Sequence, residues 1–253
     1  MVIVPAARGW LWVKRGCALL GKSPFAWLFV SMAYWLAMAI LARLPYVGLF
    51  AGSLVMPALA VSFMAMCREL DQGRSLQPAL LAAGFRRNLA ALVALGALYL
   101  AATLAIFAAT WVIDGGFLAR WMLFARTPDV PAGESAPFLW AAAFALALWI
   151  PVQLAFWFAP VLAAWQGMPV GKALFFSFFA SLRNWSAFLV YLAVAGGAAA
   201  ALAALLYNLH RLQAGPAIAP TIVFVLLVVA VPLYYASLYA SYRDVFPGEE
   251  AKA

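Results

Sequence analysis

The sequence predicts an all-α polytopic membrane protein, with six transmembrane helices arranged as three pseudo-repeats and amphipathic helices lying at the interface. Of the 253 residues, 68% are hydrophobic and 9% are charged, whereas a soluble domain carries nearer a quarter charged. The mean hydropathy is +1.00. The charges stand between long apolar runs, and the basic ones gather on alternate gaps. Composition excludes a soluble domain, and charge placement supplies the topology.

The uncharged runs are residues 23–42, 44–67, 88–113, 135–171, 184–210 and 212–242. Each reaches the roughly 20 residues that a helix needs to cross about 30 Å of hydrocarbon. Lipid offers no water to backbone polar groups, so the runs must close their own hydrogen bonds as helices. One set of gaps holds Arg8, Lys14, Arg15, Lys22, Arg68, Arg74, Arg86, Arg87, Lys172, Arg183, Arg243 and Lys252, and the other only Arg43, Arg120, Arg126 and Arg211. The positive-inside rule then puts both termini in the cytoplasm. Acidic residues count little in that rule, so Glu69, Asp71, Asp244, Glu249 and Glu250 do not overturn it. The net charge of +8 flanks spans and forms no basic domain, so no nucleic-acid partner is expected. The start, MVIVPAARGW, lacks a charged region leading into a short apolar stretch and reads as mature and uncleaved.

In chain order, the first element is interfacial. On a helical wheel Arg8, Lys14, Arg15 and Lys22 share one arc, opposite Trp10, Val13, Cys17 and Leu20. Such a helix sets its bases against headgroups and its apolar side against acyl chains. Its expected partner is anionic lipid, at about 1 kcal/mol per nearby base. Residues 78–88 read as a second surface helix, with Leu80, Leu81, Gly84 and Phe85 on one side and Arg86 and Arg87 toward water. Asp114 followed by Gly115 and Gly116 stops the third span, and residues 117–125, with Arg120 and Trp121, suit a short helix on the outer interface. Residues 126–137 form a turn-rich connection. Residues 169–184 form a third surface helix, expected to be partly buried because Phe175, Phe176, Phe178 and Phe179 leave it little polar face. Pro78 and Pro169 suit first helical turns. A short cytoplasmic tail, residues 247–253, ends the chain.

Three segments lead into a span alike: Lys22-Ser23 with Ala26-Trp27-Leu28, Arg87-Asn88 with Ala91-Leu92-Val93, and Arg183-Asn184 with Ala187-Phe188-Leu189. The bases suit snorkelling and Ser23, Asn88 and Asn184 suit helix N-caps. The second span of each pair holds an interior proline, Pro57, Pro160 or Pro232. Proline removes a backbone donor and bends a helix. Three units follow, approximately residues 5–70, 76–167 and 169–246, about an axis along the membrane normal. The bends either frame a central cavity or only shape packing, and chance similarity within apolar sequence is the alternative to the repeat.

Chemistry is sparse. His210 stands alone beside Arg211 and the two cysteines, Cys17 and Cys67, lie near the opposite face, so no metal, haem or other cofactor is expected. Phosphate loops, paired carboxylates and an activated serine are missing, so no enzymatic activity is expected. Gln153, two residues after Pro151, is the midplane polar residue, suited to a packing hydrogen bond. Arg68-Glu69 and Arg243-Asp244 each stand eleven residues beyond Pro57 and Pro232. Cross-pairing of Arg68 with Asp244, or Arg243 with Glu69, would latch the inner face; a headgroup or ligand site is the other reading. The headgroup candidates are Arg8, Lys14, Arg15, Lys22, Arg86, Arg87 and Arg183.

The segments Arg8-Gly9-Trp10, Phe156-Trp157-Phe158-Ala159-Pro160, Ala173-Leu174-Phe175-Phe176-Ser177-Phe178, Arg183-Asn184-Trp185 and Ser241-Tyr242-Arg243-Asp244-Val245-Phe246 resemble an uncharacterised proteobacterial family of multi-pass inner-membrane proteins. The layout is more loosely similar to the six-span membrane domain of glycerophosphodiester phosphodiesterases. The catalytic domain of those enzymes is missing, so that resemblance implies no such activity. The expected function is a non-enzymatic lipid-interacting or scaffolding protein acting through its basic inner face, with anionic headgroups or an unidentified protein as partner. The alternative is a small-molecule transporter or channel along the pseudo-threefold axis. A wet polar path would favour transport and a packed axis the scaffold.

Overall fold

In a computed structural model of the chain, residues 1–44, 47–124, 135–211 and 217–248 are described. Parts of the expected outer connections, including Arg126, and residues 249–253 of the tail lie outside them, as does the His210 side chain. Among the described residues the regular structure is wholly helical: α1 (Arg8–Lys22), α2 (Pro24–Ala42), α3 (Val47–Asp71), α4 (Leu89–Asp114), α5 (Phe117–Phe124), α6 (Ser135–Phe156), α7 (Ala159–Trp165), α8 (Val170–Arg183), α9 (Trp185–Arg211) and α10 (Ile218–Val245), with 3-10 turns at Pro78–Ala82 and Gly84–Arg86. Helices α2, α3, α4, α6 with α7, α9 and α10 give six segments long and apolar enough to cross a membrane. Both chain ends lie at one face of the bundle, where the Val2 amide donates to the Val245 carbonyl at 2.8 Å.

Helix α1 lies against α10 and α9. Its packed face is Gly9, Trp12, Gly16 and Leu19, whereas Trp10 is 52% exposed and Cys17 is exposed. The expected apolar arc is therefore corrected: the packed face is centred on Trp12 and Leu19 with Gly9 and Gly16 between the helices, Val13 and Leu20 pack at its margin, and Trp10 and Cys17 lie outside it. A Cβ on Gly9 would sit 2.1 Å from the Ala187 carbonyl oxygen, so the helix approaches α9 as closely as backbone allows.

The expected second surface helix is two short 3-10 turns. Gly84 is pressed onto α3, where a Cβ would lie 1.9 Å from the Ala58 carbonyl oxygen, and its amide donates to Ser62 Oγ at 2.9 Å. That amide, spent on another helix, cannot propagate an α-helix here. The third surface helix, α8, forms as expected but buries Ala173, Ser177, Ala180 and Ser181, while Phe175 is 58% exposed. The helix is partly buried as expected, with Phe176 packed against the core, Phe178 half-buried and Phe175 and Phe179 exposed.

The prolines differ in effect. Pro57 and Pro232 lie inside continuous helices, whereas the chain breaks between α6 and α7 just before Pro160. Proline has no N–H to bond the carbonyl four residues back. Ser177 of α8 mends the gap: its Oγ accepts from the Phe158 amide at 2.9 Å and donates to the Leu154 carbonyl at 3.0 Å. Three surface elements thus each dock on a proline-bearing span. Gly84 meets α3 beside Pro57, Ser177 meets the break beside Pro160, and Gly16 meets Leu233 and Ser237 of α10 beyond Pro232. Gly16 and Ser177 each stand six residues before the lead-in base.

The three expected N-cap residues occupy helix starts without capping through their side chains. Asn88, at φ 47°, donates to the Ala163 carbonyl at 3.0 Å. Fully buried Asn184 accepts from the Val4 amide at 2.8 Å and donates to Val2, so it straps down the N-terminus. At the opposite face Asp114, 6% exposed, accepts from the Gly116 and Leu118 amides at 2.8 and 2.7 Å. It ends α4 and caps α5. Asp114→Ala should cost about 2 kcal/mol, read as a lower melting temperature in detergent, and should expose the region of α5 to proteolysis.

Candidate functional site

Two cavities lie along α10. The first is a polar groove of about 410 Å³ at the face that carries both termini. Helix α1 contributes Arg8, Arg15 and Lys22, which are seven residues apart and so share a face; α3 adds Asp71, and α10 adds Tyr239, Arg243 and Asp244. Asp244 Oδ2 accepts from Trp12 Nε1 at 2.9 Å, and Oδ1 meets Arg15 at 2.8 Å and Arg8 at 3.6 Å. Arg243 pairs with Asp71. Lys22 Nζ donates to the Leu70 carbonyl at 3.0 Å, at the negative end of α3.

The expected latch is corrected in its partners. The ends of α3 and α10 do meet, through Arg243 and Asp71, but Asp244 is taken by α1 and Glu69 by Arg74 five residues on. Arg68 lies over the Trp165 ring, 4.6 Å from its centroid. The cause is α1, which lies on α10 and supplies nearer cations than α3 could. Of the headgroup candidates, Arg8, Arg15 and Lys22 converge in the groove; Lys14, Arg86, Arg87 and Arg183 are exposed and do not line it.

The second cavity, about 330 Å³, lies at mid-span between α3, α4, α6, α7 and α10. Pro57 and Pro160 line it, as do Tyr234 and Tyr235 just beyond Pro232. Two of the three prolines thus border a cavity, and Pro232 does not line it. Gln153 is in its wall and accepts from Tyr99 Oη at 3.3 Å. Along α3, between the residues that line the two cavities, Phe63, Met64 and Cys67 are buried, as is Tyr242 on α10, and Phe63 stacks on Tyr235 with ring centroids 4.7 Å apart.

Sequence reasoning did not single out Asp71, Trp12, Tyr99, Tyr234 or Tyr235. The seven-residue spacing of Arg8, Arg15 and Lys22 was visible and would have separated Lys14 from them. No group of three or more metal-ligating side chains gathers among the described residues.

Six apolar helices joined by short surface elements define a multi-pass membrane protein of all-α architecture. The chain is 37% identical to a Burkholderia thailandensis protein named probable inner membrane protein, an alignment covering all of this chain and 96% of that relative. It belongs to that family of inner membrane proteins. No family model matches the sequence, and no solved structure matches it.

Proposed function

We propose that the protein is a non-enzymatic lipid-binding membrane protein, built of three units about a pseudo-threefold axis, whose groove faces the cytoplasm and seats an anionic headgroup of the inner leaflet. The observation that carries this is the donor excess in the groove. Among the described residues, Arg8, Arg15, Lys22 and Arg243 line it, with Asp71 and Asp244 as the acids. Three guanidinium groups and one ammonium present far more N–H donors than two carboxylates can accept. A phosphate would use the surplus, and the exposed Lys14, Arg86, Arg87 and Arg183 would form a basic rim on the same leaflet.

The second reading, a small-molecule path along the pseudo-axis, has the mid-span cavity in its favour. The buried side chains of Phe63, Met64 and Cys67 further along α3, and of Tyr242 on α10, rank it below the first. The test compares phosphatidylglycerol binding to the purified wild type, to Lys14→Gln and to the Arg8→Gln, Arg15→Gln, Lys22→Gln triple variant. At about 1 kcal/mol per base the triple variant should bind roughly 100-fold more weakly, and Lys14→Gln alone by no more than about fivefold. Equal binding by the triple variant and the wild type refutes the groove as the seat.

A further inference from the structure

We propose that the mid-span cavity binds a flat, uncharged, membrane-soluble molecule bearing carbonyl oxygens on a ring, the chemistry of a quinone. Among the described residues no Asp, Glu, Lys, Arg or His lines it. A charged ligand would enter that low-dielectric space without a counter-ion, at a cost of several kcal/mol or more, so the occupant is neutral. Its walls are aromatic, with Tyr99, Phe156, Trp157, Tyr234 and Tyr235 among the lining. Ring faces and edges at this density select a planar, unsaturated partner over a saturated one.

The polar groups decide the rest. Gln153 accepts its bond from Tyr99, and its amide N–H pair donates to no described residue. The hydroxyl of Tyr235, a buried side chain in the same lining, likewise donates to no described residue. The Gln153 amide and the Tyr235 hydroxyl are therefore the donors this wall offers. A cavity at this depth that presents unused donors is complementary to an acceptor, because each donor left without a partner costs about 1–3 kcal/mol. A ring carbonyl supplies the acceptor without bringing a charge. The volume of about 330 Å³ stands at the lower end of the range for small-molecule sites, roughly 300–1,000 Å³, and suits a bicyclic ring with its tail directed into lipid.

The probe is menadione, titrated calorimetrically into the full-length protein in detergent micelles, with 2-methylnaphthalene as the same ring lacking oxygens. Menadione should bind, and methylnaphthalene about tenfold or more weakly, the factor expected for one net hydrogen bond. Gln153→Leu and Tyr235→Phe should each weaken menadione by about the same factor and leave methylnaphthalene unchanged. Ala60→Phe, which places a ring in the cavity, should abolish binding of both. The comparison of two probes on the wild-type protein needs no variant to fold, so the idea stays open to refutation if a substitution destabilises the bundle. Failure of menadione to bind, or equal binding of both probes, overturns the proposal. This site is separate from the headgroup groove, and phosphatidylglycerol binding should be unaffected by Ala60→Phe.

Discussion

Gly9→Ala is expected to lower stability by on the order of 3 kcal/mol, and Gly84→Ala by at least as much, because each methyl would land on backbone that cannot move aside. At Gly9 the new carbon meets the Ala187 oxygen at 2.1 Å and the Tyr191 nitrogen at 2.7 Å; at Gly84 it meets the Ala58 oxygen at 1.9 Å and the Ala58 carbonyl carbon at 2.8 Å. Relief requires α1 to withdraw from α9, or the 3-10 turns from α3. Either move undoes the docking of a surface element on the spans. Gly21→Ala is the control: it lies on α1 with nothing within 4 Å of its would-be Cβ, and should gain up to about 1 kcal/mol from helix propensity. Melting temperatures of the detergent-purified variants decide the matter. A Gly9→Ala protein as stable as Gly21→Ala would mean that α1 is not held by this contact.

Those glycines mark the boundary of what the sequence alone discloses. The six spans were legible because hydrocarbon requires about 20 apolar residues for each crossing, a constraint local to each segment. The break beside Pro160 and the short helix Phe117–Phe124 were legible for similarly local reasons. Which face of α1 packs was not, since Gly9 and Gly16 carry no apolar weight on a helical wheel and bury themselves only because Ala187 and Ser237 stand far along the chain. Residues 78–88 misled in the same way: their pattern suits a helix, but the Gly84 amide bonds to Ser62 instead. The candidate site was half visible. Arg8, Arg15, Lys22, Arg243, Asp244 and Gln153 were marked as functional, whereas Asp71 and the tyrosines of the mid-span cavity gain their meaning from partners on other helices. The latch had the right helix ends and the wrong pairs, because α1 lies on α10 and brings Arg8 and Arg15 to Asp244, leaving Arg243 to Asp71.

Asp244 is where that correction becomes measurable. Its side chain is 12% exposed and holds two kinds of partner. One is the indole N–H of Trp12, a residue with no exposed surface; the other is the pair of guanidinium groups of Arg15 and Arg8, whose side chains are 48% and 37% exposed. Pairs as exposed as these are screened and contribute about 0–1 kcal/mol each. An acceptor taken from a buried donor costs about 1–3 kcal/mol. Asp244→Ala should therefore lose about 3 kcal/mol in all, and Asp244→Asn distinctly less, because its amide oxygen still serves Trp12. A double-mutant cycle of Asp244→Ala with Trp12→Phe should show the larger coupling and keep it in 1 M salt. The cycle with Arg15→Gln should show a smaller one that fades there, where the screening length is about 3 Å. If the ranking is reversed, with the arginine coupling larger and the indole coupling near zero, α1 is held to α10 by surface charge and the buried bond to Trp12 contributes nothing to the docking.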